Sequence, residues 1–328
     1  MAKKKHTKRE AAAAKAAGGD FKLDPVVEYA VAYGHVFNPE FPKLTELWDQ
    51  GGSSLAKLKP GHPLYKELTA SIQSFDANMD TLTGVYHGRQ AMFDGDIGPA
   101  TRGLLDSNRC ACKDFDDPRQ ASGSGAWPIG CDPEYPDVHS IRIAVNSSGA
   151  NRAWKQHLPR IMEESAALSA SIGLHVRYLL DVGAGPSDAE EWVIFQVIPG
   201  NVIGDNYLPQ ADKCGQSLRG RIDPGYNPSN VILRIILWIH ENQGHGIGLR
   251  HTRGGIMNPS IILVPYPLTW IGDPSFNTLR RFYGGKPLEP VDPTPPPSPG
   301  PSGFKLRGIF ELEKDGVLTG DRWTTFPV

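Results

Sequence analysis

A chain of 328 residues with 21% charged residues and a formal net charge of −2 has the composition of an ordinary globular protein, with no pull towards nucleic acid. That length accommodates two modest domains and some linkers. No apolar run approaches the roughly 20 residues that span a bilayer; the best, Val231 to Ile239, is broken by Arg234.

Residues 1–20 open with basic Met1-Ala-Lys-Lys-Lys-His-Thr-Lys-Arg9 and continue as a polar stretch rich in alanine and glycine. The apolar centre of a secretory signal is missing there, so a disordered tail is expected. Residues 21–108 read as a small, mostly helical domain. Pro25 to Tyr33 and Tyr65 to Asn78 show helical spacing, interrupted by the turn-rich Gly51-Gly-Ser-Ser54 and Lys59-Pro-Gly-His-Pro63. Its end carries Phe93-Asp-Gly-Asp-Ile-Gly-Pro-Ala-Thr-Arg-Gly-Leu-Leu105. A calcium loop fails here, because Pro99 stands where the EF-hand glycine belongs and Leu105 where its glutamate belongs. The segment instead resembles the D-G-x-x-G-P-x-T-R-x-x-L signature of peptidoglycan-binding-like domains, which implies a small three-helix fold in which Thr101 and Arg102 open a helix.

Residues 109–136 begin with Arg109-Cys110-Ala-Cys112-Lys-Asp114 and continue as a linker rich in Gly, Ser, Pro and Asp. The thiols are open to two readings, as metal ligands or as disulfide halves. Cys110, Cys112, Cys131 and Cys214 allow three pairings, of which Cys110 with Cys112 is disfavoured by proximity. In residues 137–285, His139 to Val145 alternates like a strand. Asn151 to Ile172 is helical with Trp154, Leu158, Ile161 and Leu168 to one side, and Leu174 to Val182 and Trp192 to Ile198 are further strands. His175, inside a strand, is expected to pack rather than to bind metal. Asn227-Pro-Ser229 supplies a helix cap.

Next comes Trp238-Ile-His-Glu-Asn-Gln-Gly-His-Gly-Ile-Gly-Leu-Arg-His251. Three histidines suit a catalytic zinc, which takes three protein ligands and leaves one position open. A glutamate beside the first ligand suits a general base. His245-x-x-Gly248-x-x-His251 has the second half of the pattern H-E-x-x-H-x-x-G-x-x-H, but His240 and His245 are five apart instead of four. On a regular helix that step leaves them roughly 140° apart instead of roughly 40°. A one-residue π-bulge, eased by Gly244 and Gly246, would restore convergence and is the preferred reading. The competing register uses Glu241, His245 and His251 as ligands and puts Asn242 in the place of the base.

Met257 follows in Gly254-Gly-Ile-Met-Asn-Pro-Ser260, and Asp273-Pro-Ser-Phe-Asn-Thr-Leu-Arg-Arg-Phe-Tyr-Gly284 reads as a closing helix with Asp273 as N-cap. With G-H-x-x-G-L-R-H, the I-M-N-P turn and the final Y-G, residues 137–285 resemble the matrixins, the matrix-metalloproteinase-like branch of the metzincins. The resemblance implies an α+β catalytic domain with a twisted mixed sheet, an active-site helix and a C-terminal helix. It implies one catalytic zinc on His240, His245 and His251, Glu241 as the base, and Met257 as the floor of the site. Matrixins often carry a peptidoglycan-binding-like pro-domain, so Cys110 resembles the latent ligand of their cysteine switch and the enzyme is expected to be a zymogen.

The structural zinc of that family is expected to be absent, because residues 183–226 contain no histidine. No motif supports calcium, although Asp181, Asp188, Asp205 and Asp212 offer carboxylates. Protein or peptide substrates follow from the resemblance, with Val264-Pro-Tyr-Pro267 as a wall of the substrate pocket, and an extracellular or cell-surface setting. A competing reading is a catalytically decayed fold that binds peptidoglycan through the N-terminal domain; another is a zinc centre that cuts peptidoglycan cross-links. Residues 286–303 form a stiff polyproline spacer, and residues 304–328 have the pattern of two or three short strands around Lys314-Asp-Gly316.

Overall fold

The structure, a computed structural model, describes residues 22–76, 95–119, 125–180, 189–210, 213–261 and 263–284, and strand residues between 307 and 325. The basic tail, Asp94, the proline-rich spacer and three of the four aspartates considered for calcium (Asp181, Asp188 and Asp212) lie outside these residues. Residues up to Pro287 belong to one compact unit and residues from Leu288 to another. Among its described residues the second unit has four short strands, β7 (Arg307–Phe310) to β10 (Arg322–Thr325), where two or three were expected. β7 pairs with β10, and β8 (Glu313–Lys314) with β9 (Val317–Leu318), both antiparallel.

Among the described residues, the first unit contains two buried apolar cores, one from residues 23–72 and one from residues 127–283. The first core is helical. Where three helices were expected, the described residues form five α-helical segments, α1 (Pro25–Tyr33), α2 (Pro42–Asp49), α3 (Gly52–Leu55), α4 (Pro63–Asp76) and α5 (Pro99–Leu105), and a 3₁₀ turn at His35–Phe37. Gly51 and the Lys59 to His62 turn divide what would otherwise be longer helices. Asp24 caps α1 by accepting from the Val26 N–H at 3.0 Å, and Gly34 ends it at φ 80°. A Cβ at Gly34 would lie 1.8 Å from the Phe115 carbonyl oxygen, so only glycine lets the 109–115 segment sit against the end of α1.

The second core is built on a mixed six-stranded sheet in the order β1-β5-β6-β4-β2-β3. Its strands are β1 (Arg109–Cys110), β2 (His139–Asn146), β3 (Leu174–Leu180), β4 (Glu191–Phe195), β5 (Val202–Asp205) and β6 (Leu218–Ile222). Together with the helices this makes the chain α+β. All neighbours are parallel except β5 with β6. The expected strands at β2, β3 and β4 are present, whereas β1, β5 and β6 come in addition to them. β2 lies between two parallel neighbours and buries Ile141, Ile143, Ala144 and Val145, which is why its alternation is imperfect. Helix α6 (Arg152–Ala170), capped by Asn151, lays Trp154, Leu158, Ile161 and Leu168 into this core. At about 25 cal/mol per Å² of apolar surface, each such side chain contributes about 2–3 kcal/mol.

Cys131 and Cys214 form a disulfide across a sequence separation of 83 residues, and Cys110 and Cys112 are free. By loop-closure entropy such a link is worth about 4 kcal/mol. His175 packs against Tyr135, ring centroids 3.6 Å apart. Among the described residues no helix is long and apolar enough to cross a membrane.

Candidate metal centre

Helix α7 (Val231–Trp238) buries Ile235, Ile236, Leu237 and Trp238. Its cap is Asn230, accepting from the Ile232 N–H at 2.9 Å. The expected cap at Asn227-Pro-Ser229 lies too far upstream for a helix that starts at Val231, and the Asn227 side chain receives Arg234 instead. From Ile239 to Gly244 the helix widens into a π-turn. A π-turn absorbs one extra residue, so His240 and His245 face each other with ring centroids 4.9 Å apart. The chain therefore adopts the bulge that its histidine spacing requires, and not the regular helix of the competing register.

A short 3₁₀ turn, His245–Ile247, then ends at Gly248 with φ 101°. The reversal brings His251 back, its ring 5.1 Å from His240 and 4.8 Å from His245. A Cβ at Gly248 would also lie 2.7 Å from the Gly125 carbonyl oxygen. Gly248→Ala is therefore expected to cost roughly 1–3 kcal/mol. Thermal unfolding should register this as a fall of roughly 2–4 °C per kcal/mol; an unchanged midpoint would mean that the turn is not held as described.

The rings are oriented through their Nδ1 atoms. His240 Nδ1 faces the Ile256 carbonyl at 2.9 Å, His245 Nδ1 the Leu249 carbonyl at 2.9 Å, and His251 Nδ1 the Asp114 carboxylate at 2.6 Å. Those oxygens only accept, so each Nδ1 carries the proton. Burial holds His240 and His251 below the usual histidine range, which keeps these rings neutral. A neutral ring with its proton on Nδ1 presents a lone pair at Nε2. The His251 Nε2 lies 3.2 Å from each of the other two Nε2 atoms. Between His240 and His251 two lone pairs therefore meet, and they repel unless a cation lies between them. At His245, by contrast, burial is outweighed by the Cys112 sulfur and Glu241 beside it, which raise its pKa to about 9.

Cys110 completes the group. Its sulfur sits 3.4 Å from His245 Nε2 and 3.4 Å from Glu241 Oε2, and burial pushes its pKa up. Cys110, His240, His245 and His251 are all buried, with donor atoms within 4.8 Å of one another, and can hold a metal ion. Cys110, Cys112, Glu241 and His245 satisfy the same distance. That second set would gather three acidic groups around one imidazole and leave the His240 and His251 lone pairs unopposed, so the first fits better. Of the two readings of Cys110, the metal-facing one matches its position.

Met257 is fully buried beneath the π-turn. A Cβ at Gly244 would lie 2.1 Å from its sulfur, so the methionine presses directly on the turn. Asp273 does not cap the last helix, α8 (Phe276–Tyr283), which begins two residues later than expected with Ser275 before it. Its carboxylate accepts from the Ser275 N–H and, at 2.8 Å, from the Ile256 N–H, which anchors the methionine turn.

Behind the π-turn, Asn206 Nδ2 donates to the Glu241 carbonyl at 2.9 Å and to Glu191 Oε1 at 2.6 Å. Burial raises the carboxyls of both Glu191 and Glu241 well above the usual range. Gly246 and Gly204 make room for them: a Cβ would lie 2.3 Å from Glu191 Oε2 at the first and 2.6 Å from Glu241 Oε1 at the second. Asp205 is tied to Arg221. Tyr266, in the proposed pocket wall, hydrogen-bonds Glu164 on α6 at 3.2 Å.

Sequence reasoning missed Asp114, His35, Asn206 and Glu191 as parts of this centre. Asp114 was visible only as the end of R-C-x-x-x-D, and the other three carry no local signal. Compared with protein-family profiles and with curated proteins, the sequence gives no match.

Proposed function

We propose that this chain is a latent zinc-dependent endopeptidase with a matrixin-like catalytic region. The observation that carries the reading is the place of Glu241: its Oε2 lies 3.4 Å from the sulfur that closes off the three-histidine cluster. A carboxyl is thus poised beside the position that a water would take if Cys110 withdrew. Zinc is favoured by dimensions. Bonds of 2.0–2.1 Å to nitrogen and 2.3 Å to sulfur in a tetrahedron give edges of roughly 3.3–3.4 Å between nitrogens and roughly 3.6 Å from nitrogen to sulfur. Three of the six observed separations are 3.2, 3.2 and 3.4 Å, and all lie within 4.8 Å.

A peptide substrate is supported by the seat that segment 109–111 occupies. The Arg109 N–H donates to the Asn201 carbonyl, the Cys110 N–H to Pro259 and the Ala111 N–H to Gly204, at 2.9–3.0 Å. An extended chain is held from both sides, by β5 and by residues 259–260, in the manner of strand addition. Bound zinc would acidify a water and polarise the scissile carbonyl. Glu241, with its Oε2 3.4 Å from the Cys110 sulfur, would be the residue to take a proton there and return it to the leaving amine. His240, His245 and His251 are the zinc ligands, and Met257 supports the turn from below. The Cys131–Cys214 disulfide favours an oxidising compartment, in keeping with an extracellular or cell-surface setting.

The test compares wild-type chain with Cys110→Ser. Each is expected to contain one zinc by elemental analysis, and the variant to cleave an unstructured protein that the wild type leaves intact. A zinc-loaded Cys110→Ser chain without proteolysis would sink the proposal. Retention of that same chain on purified peptidoglycan would then favour the cell-wall-binding alternative.

A further inference from the structure

Asp114 is the one acceptor on the three rings that does not come from the loop following the π-turn. It is carried by the segment that also delivers Cys110. Its Oδ1 lies 2.6 Å from His251 Nδ1 and 2.7 Å from the Arg109 guanidinium, and its Oδ2 lies 3.1 Å from His35 Nε2. All four side chains are buried. The segment is seated on the end of α1: the Asp114 N–H donates to the Tyr33 carbonyl at 2.9 Å, and Arg109 stacks on the Tyr33 ring at 3.6 Å.

Resting on the metal reading above, we propose that Asp114 is a positioning residue for the metal site, so that a single segment supplies both the fourth donor and the outer partner of His251. A carboxylate on the far nitrogen of a ligating imidazole fixes its tautomer and increases its basicity, and loss of such a partner typically weakens metal binding by about 10–100-fold. Displacing the segment removes the sulfur and this carboxylate together. The metal is then held most tightly in the latent form, and activation loosens it. His35 and Tyr33 make the arrangement depend on the helical N-terminal region, which therefore has a part in metal retention as well as in blocking access.

Zinc affinity is measured on the full chain by competition with a chromophoric chelator, for wild type, Cys110→Ser, Asp114→Asn and the double variant. Asp114→Asn is expected to weaken zinc by about 10–100-fold, and by a similar factor again when Cys110 is already serine. A merely structural role, loosening the segment that carries Cys110, would have no further effect in the Cys110→Ser chain; that result overturns the proposal. Unchanged affinity in both backgrounds overturns it too. Should Asp114→Asn unfold through the buried Arg109 charge, Arg109→Gln with Asp114→Asn removes both charges and is read in the same way. A wild-type chain that takes up no zinc overturns the metal reading itself, an outcome distinct from the other two.

Discussion

In a chain released from latency by Cys110→Ser, replacing Glu241 by glutamine is expected to lower proteolysis by about 10²–10⁴-fold, the usual worth of a general acid–base group. Zinc content should stay at one per chain. The two expectations belong together, because Glu241 lies beside the three-histidine cluster and is not one of its convergent lone pairs. Glutamine keeps the shape that the space at Gly204 accommodates, where a Cβ would lie 2.6 Å from Oε1. The Asn206 bond to the residue-241 carbonyl comes from the backbone and survives the change. The lost element is the carboxylate that shuttles a proton. If zinc departs along with activity, Glu241 is itself a ligand, as in the competing register with His245 and His251.

Removing the metal from the wild-type chain is expected to lower its unfolding midpoint by about 8–16 °C. A ligand present at a thousand times its dissociation constant stabilises the folded state by about 4 kcal/mol. For domains somewhat smaller than this unit, each kcal/mol moves the midpoint by about 2–4 °C. The direction follows from the geometry, since emptying the cluster leaves the His240 and His251 lone pairs 3.2 Å apart in a buried site. Calorimetry after dialysis against a chelator measures the shift, and re-adding zinc should reverse it. Identical transitions with and without zinc would mean that the histidines pack without a metal.

The parts of this site that were legible in the sequence are those with local grammar. Histidine types, the glycine at 248 and the methionine six residues beyond His251 are read from spacing alone. The wide turn was inferable only because five residues cannot place two side chains on one face of a regular helix. Strands β5 and β6 escaped because each has a glycine at its centre, Gly204 and Gly220, which weakens the apolar pattern. Those glycines are there for a tertiary reason: a Cβ would strike Glu241 at the first and, 2.6 Å away, Asn242 Oδ1 at the second. Asp114 and His35 were hidden for a similar cause. Their partners lie 137 residues away for Asp114 and on a different segment for His35, and no periodicity reports such a meeting.

The broadened turn is thus not a local irregularity that one deletion would tidy up. Two neighbouring strands have given up side chains to let Glu241 and Asn242 in, and Gly244 has done so for Met257. Shortening the motif to the commoner spacing would pull those groups back and leave empty volume in the sheet and under the helix. The surrounding scaffold has been tailored to the longer form, so the spacing and its lining can change only together.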